Sequence, residues 1–105
     1  DRVVGYAKLR EGNLHEGLEG LPSIEISRIY STKDAIGKGV GSALMTECIR
    51  IAHDIGKRVI WLGVWEKNEP AIRFYKRWGF EKFAEHEFVL GKDVQTDWLM
   101  KKLIS

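Results

Sequence analysis

The sequence predicts an α/β (α+β) domain, a mixed sheet with helices packed on it and one parallel strand pair. Three observations carry this. Two apolar segments, Ile24 to Tyr30 and Arg58 to Val64, flank a stretch whose apolar residues recur every three to four positions, which is the βαβ pattern. A second, shorter helical stretch follows, with a start signal at Asn68 and a stop at Gly79. The chain then closes with two β-rich segments separated by Gly91-Lys92-Asp93, a hairpin pattern.

Taken in order, Val3 to Arg10 reads as one strand from its β-branched and aromatic content, and Glu11 to Pro22 as a loop or open hairpin. In the strand Ile24 to Tyr30, alternation puts Ile24 and Ile26 on one face and Glu25 on the other. From Gly39 the apolar positions become Val40, Leu44, Cys48, Ile51 and Ile55, the buried stripe of a helix that Gly56 ends. Arg58 to Val64 is a buried strand, parallel to the one before the helix. Asn68 caps the next helix, Pro70 is tolerated in its first turn, and Ala71, Ile72, Tyr75 and Trp78 share neighbouring faces. The last strands run from Lys82 to Leu90 and from Thr96 to Leu103.

With 105 residues there is room for one domain and one core. The net charge is +2 with both signs interleaved, so there is no basic stripe to displace counterions, and nucleic acid is not expected as a partner. The single cysteine and three dispersed histidines exclude a disulfide framework and a zinc site, so no metal is expected and a reduced cytoplasm fits. No apolar run has the length to cross a bilayer, which implies a soluble protein away from membranes. Trp61 and Trp78 fall in strand and helix patterns that point to the core rather than to base stacking.

The stretch Ala35-Ile36-Gly37-Lys38-Gly39-Val40-Gly41-Ser42 sets three alternate glycines at the mouth of a helix, where bare backbone N–H groups and the helix dipole favour a phosphate. A dinucleotide fingerprint would require Gly or Ala at Ser42, and a Walker loop Ser or Thr at Gly39. Downstream stands N-x-x-A-x-x-F-Y-x-x-x-G-F, made of Asn68, Ala71, Phe74, Tyr75, Gly79 and Phe80. These two motifs, in this order and separation, resemble the GNAT family of acetyl-CoA-dependent N-acetyltransferases, from about Ile24 to the end of the chain. One departure is Ile36, where the family usually has Gln or Arg, which leaves the backbone cradle without that polar side chain.

The resemblance implies a twisted, mostly antiparallel sheet with a splayed parallel strand pair, flanking helices and acetyl-CoA as cosubstrate. It implies diphosphate binding by Gly37, Lys38, Gly39, Val40, Gly41 and Ser42, and pairing of the pantetheine arm with backbone near Ile29 to Ser31, where an N–H also faces the oxyanion. Asn68 is either a cap alone or also a pantetheine contact, and Arg77 either a solvated charge or a phosphate contact. Family members carry a further strand and two helices ahead of the region that begins at Asp1, so a preceding part that walls the acceptor pocket is expected.

Amine acetylation sets two proton demands. An alkyl amine with a pKa of about 10.4 is about 99.9% protonated at pH 7, a deficit of about 4–5 kcal/mol unless a base or water relay removes the proton. Glu25 is the candidate base, directly or through water, and its alternative is a solvated strand glutamate. By resemblance Tyr75 is the acid that serves the departing thiolate, and its alternative is a buried aromatic with a satisfied hydroxyl. Cys48 falls in the helix core as a small hydrophobe. The tail from Phe88 to Met100 resembles bacterial members assigned to polyamine acetylation, the PaiA-like group, which implies a small polyamine such as spermidine, with Glu25, Glu66 and Asp97 available to a cationic acceptor. A protein lysine or N-terminal amine, and a non-catalytic acetyl-CoA-binding module, remain alternatives. The first strand or last hairpin offers an edge for a homodimer.

Overall fold

Apolar alternation and helical periodicity are realised in eight elements among the described residues, which in this computed structural model are 2–4, 7–11, 21–29 and 40–104. They are β1 (Arg2–Val4), β2 (Ala7–Arg10), β3 (Ser23–Ile29), α1 (Val40–Asp54), β4 (Val59–Trp65), α2 (Glu69–Arg77), β5 (Glu81–Leu90) and β6 (Asp93–Leu103). The sheet order is β1-β2-β3-β4-β6-β5. Only β3 and β4 are parallel, as expected of strands joined by a helix, and every other neighbouring pair is antiparallel.

Two expected boundaries change. The segment read as one strand, Val3 to Arg10, is two strands folded back on each other, with Arg2 opposite Leu9 and Val4 opposite Ala7. β-branched content marks extended backbone but does not separate one long strand from two short ones, and the glycine at position 5 was the available turn signal. The closing hairpin is tighter than Gly91-Lys92-Asp93. Asp93 already pairs with Leu90, Gly91 has φ 64°, and β6 starts three residues before Thr96. Asp93 and Gln95 are weak strand formers, recruited here by cross-strand pairing.

Both helices end in the same way, for the same reason. After α1, Gly56 N–H donates to the His53 carbonyl and Lys57 N–H to that of Ala52, while Gly56 takes φ 81°. After α2, Gly79 N–H donates to Lys76 and Phe80 N–H to Tyr75, with Gly79 at φ 89°. These are Schellman closures, which need a left-handed residue and so favour glycine. In the second, the accompanying apolar contact is Phe80 on Tyr75, ring centroids 5.8 Å apart.

The two faces of the sheet differ. On one, Ile24, Ile26, Ile60, Leu62, Val64 and Met100 pack beneath Met45, Cys48 and Ala52 of α1 and Ile72 and Tyr75 of α2. On the other, a smaller cluster of Val59, Trp61 and Leu99 is flanked by Leu21, Phe83 and Ala84. A bulge at Phe83, where the β5 register jumps between Lys82 and Ala84, adds that ring to the smaller cluster. Trp61 is buried as expected, Trp78 and Trp98 pack at the margin of the larger cluster, and Trp65 is exposed.

Candidate active site

The central feature is a gap in the sheet. β3 and β4 pair from Ser23↔Val59 to Ile26↔Leu62 and no further, although β3 runs on to Ile29 and β4 to Trp65. Beyond that point β3 pairs with β2 and β4 pairs with β6. The cause lies in β3: its partner on β2 changes from Leu9↔Ile26 to Lys8↔Arg28, so Ser27 is an extra residue, a β-bulge. A bulge bends its strand and increases its twist. From Ser27 the strand turns away, and the edges 27–29 and 63–65 face each other without ladder pairs between them.

Ile29 lies at the end of β3, on one side of this gap. Ser31, Gly37, Lys38 and Gly39 lie outside the described residues. Val40 opens α1, and Ser42 in its first turn is exposed, its carbonyl accepting from Thr46 Oγ1 at 2.9 Å. Gly41 meets α2: the edge of the Phe74 ring is 3.4 Å from where a Cβ on Gly41 would stand, room for a methyl group and little more. The amino end of α1 is thus held against the helix that carries Tyr75.

Asn68 caps α2, its Oδ1 accepting from Ala71 N–H at 3.4 Å, and its own N–H donates to the Trp65 carbonyl at 2.9 Å. The cap therefore ties the start of α2 to the gap end of β4. Arg77 is exposed in the last turn of α2. Tyr75 is buried among Phe74, Phe80 and the α1 core, with the Phe74 ring edge-on at 5.6 Å. Burial, with the Cys48 thiol as a lesser contributor, pushes its hydroxyl up to about 12. Cys48 is fully buried and is pushed up to about 11 by burial and then by the Glu47 carboxylate, so it stays a thiol and behaves as a small hydrophobe.

Glu25 lies on the opposite face from Tyr75, since it alternates with Ile24 and Ile26, which share Tyr75's cluster. Its cross-strand neighbour is Trp61, one pair before the gap opens, and its Oε1 stands 3.6 Å from Nε of Arg10. The structure does not bring Glu25 and Tyr75 together; it sets them on the two sides of the sheet. On Glu25's face, beyond the gap, lie Gly63 and Trp65 of β4 and Asp97 of β6, with Trp65 opposite Asp97. Glu66, exposed in the turn after β4, is held by its N–H on the Thr96 carbonyl. The bulge at Ser27 escaped sequence reasoning because nothing in the local composition marks it. Gly63 carries a signal, a glycine inside a strand pattern, but the apolar residues on either side of it read as a buried strand.

A parallel pair parted by a bulge, an ensuing helix and a capped second helix can be set beside known proteins. Residues 1–80 match the Acetyltransferase (GNAT) family. The chain belongs to the GNAT family. This GNAT chain is 41% identical over 102 residues to an uncharacterised N-acetyltransferase encoded in the pepI 3′ region of Lactobacillus delbrueckii subsp. lactis, a match covering 97% of this chain and 59% of that protein. It thus spans about three fifths of the length of that relative. Among solved structures, Arabidopsis thaliana NAA60 in complex with a bisubstrate analogue shares the GNAT fold with a TM-score of 0.80 at 21% identity, over 94% of this chain and 62% of that one. Salmonella typhimurium yncA, solved with its cofactor acetyl-CoA, has a TM-score of 0.76 at 23% identity, over 94% and 57%. No helix among the described residues is long and apolar enough to cross a membrane.

Proposed function

We propose that this chain is the cosubstrate-binding core of an N-acetyltransferase that moves the acetyl group of acetyl-CoA directly to a primary amine, with a small polyamine such as spermidine as acceptor. The observation that carries the proposal is the gap between β3 and β4: two strand edges turned towards each other, which an extended amide-bearing chain fits as a further strand. The pantetheine arm of coenzyme A has that chemistry. When bound, acetyl-CoA supplies an activated thioester.

This chain's own residues supply the rest. Gly37, Lys38, Gly39, Val40, Gly41 and Ser42 hold the diphosphate at the amino end of α1, where N–H groups and the helix dipole favour negative charge. Backbone from the bulge through Ile29 to Ser31 contacts the arm and donates to the developing oxyanion. Asn68 and Arg77 flank the arm and its phosphates. Glu25, on the open face, takes the proton of the incoming amine, through water where Arg10 occupies the carboxylate. Tyr75, on the helix-covered face, serves the departing thiolate. A hydroxyl held near 12 holds its proton more tightly than a thiol of about 8.5, so its contribution is a donated hydrogen bond that stabilises the sulfur rather than early proton release. A small cationic acceptor is supported by the tail resemblance and by the carboxylates of Glu25 and Asp97 on one face.

Release of free thiol, followed with acetyl-CoA over a panel of spermidine, lysine and peptide amines, tests the assignment. Spermidine is expected to be the fastest acceptor. A faster peptide amine would move the acceptor class, and acetyl-CoA binding with no amine-dependent thiol would reduce the chain to a binding module. Tyr75→Phe should lower kcat about 10²-fold with little change in KM for acetyl-CoA. Undiminished turnover, with chemistry limiting, would remove Tyr75 from the reaction.

A further inference from the structure

Gly63 sits in the middle of β4, a central strand, and yet it is exposed, whereas Trp61, Leu62 and Val64 around it are buried. Its φ lies outside the left-handed region, so the backbone does not demand glycine. Among the described residues packing does not demand it either: a Cβ there would meet Leu99 Cδ2 at 3.5 Å and Asp97 Oδ2 at 3.9 Å, both ordinary contacts. A glycine interrupts a strand at a cost of roughly 0.5–1 kcal/mol, and with neither reason present among the described residues, room for something that approaches the backbone is the reason that fits its place. The position is the first on β4 beyond the last pair with β3, at the lip of the gap.

Asp97 leans over that lip. It is cross-strand partner to Trp65, but its Oδ2 is directed back towards Gly63, while Oδ1 accepts from Gln95 Nε2 at 3.0 Å. The carboxylate is half-buried and set in place by an amide, and among the described residues it forms no ion pair. The exposed indole of Trp65 stands beside it on the same face, and His86 is its partner on β5. A fixed carboxylate with an aromatic wall and an open floor is a chemistry that recognises an ammonium group.

We infer that Gly63, Trp65 and Asp97 form the acceptor subsite, in which Asp97 binds an ammonium that the substrate retains while a second amine of the same molecule reaches the gap across Gly63. The acceptor class is therefore a diamine or longer polyamine rather than a monoamine. The inference rests on the acetyl-transfer assignment for its location but makes a separate claim about binding.

The test compares 1,4-diaminobutane with n-butylamine, which differ by one ammonium, on the full-length protein and on Asp97→Asn. Wild type should prefer the diamine in kcat/KM by about 10- to 100-fold, the range of one hydrogen-bonded charge pair, and D97N should erase that preference by raising KM for the diamine. Gly63→Val should reduce turnover of both amines with the circular dichroism spectrum unchanged. Calorimetric titration of 1,4-diaminobutane in the absence of acetyl-CoA, on wild type and D97N, provides a readout without turnover. Diamine binding lost in D97N supports the subsite even if no amine is acetylated, an outcome that would sink the acetyl-transfer assignment alone. Acetylation of amines with equal kcat/KM for the pair, or diamine binding untouched by D97N, overturns the subsite and leaves acetyl transfer standing.

Discussion

The two faces of this sheet are built from the same strands and serve different ends. The helix-covered face is continuous: Ile24, Ile26, Ile60, Leu62 and Met100 are each at most 4% exposed beneath two helices, so every large side chain there has neighbours on all sides. The other face begins in the same manner, at Val59, Trp61 and Leu99, and then gives way to Gly63, Trp65, Asp97 and His86 towards the gap. Close packing and reactivity compete for the same positions, because a site must leave polar groups open to a substrate while a core must leave nothing open. Pleat alternation lets one strand face a core with Leu62 and Val64 and an open surface with Gly63 and Trp65.

The contrast can be broken by mutation and by pH. The largest effect is expected at Leu62→Ala, a fully buried position between helix and sheet that has no solvent to refill it: about 3–5 kcal/mol of unfolding free energy, measured by urea denaturation. A loss below 1 kcal/mol would mean that the covered face is loosely packed. Next is alkali. The Cys48 thiol, ordinarily at 9.0, and the Tyr75 hydroxyl, ordinarily at 10.0, both lie on the covered face and are raised on folding to about 11 and about 12. A raised pKa contributes stability that is complete below the unfolded value and is lost as pH climbs through the folded one, so the Tm should fall steadily from pH 9 to pH 12. The thiol's share is on the order of 2 kcal/mol, and Cys48→Ala should remove the portion of the decline that begins near pH 9. An unchanged decline in that variant would assign it elsewhere. The smallest effect is expected on the open side: Leu99→Ala, in the lesser cluster, should cost about 2 kcal/mol, less than Leu62→Ala because the vacated space is nearer to water. Equal costs at the two positions would show that the open face is packed as closely as the helical one.

The βαβ unit was legible because helix period and strand alternation are local patterns, visible within a dozen residues. The ends of α1 and α2 were legible for a simpler reason, since Gly56 and Gly79 stand where a left-handed residue must follow a helix. The amino-terminal hairpin was less so: Val3, Val4 and Tyr6 carry strand propensity on both sides of a single glycine, and propensity does not count strands. Of the candidate residues, Tyr75 was legible as part of a motif and Glu25 through alternation, but their placement on opposite faces of one sheet was not.

What the sequence determined by itself is the elements from β3 onward, their order, the direction of β3 relative to β4 and the side chains each of those strands turns to either face, because all of these follow from chain geometry over short spans. Tertiary structure alone decided where pairing stops. The bulge at Ser27 exists only as a mismatch in count between β2 and β3, and the lean of Asp97 over Gly63 only as a relation between β6 and β4. Register is a property of two strands at once, so no single strand can announce the gap that opens between them.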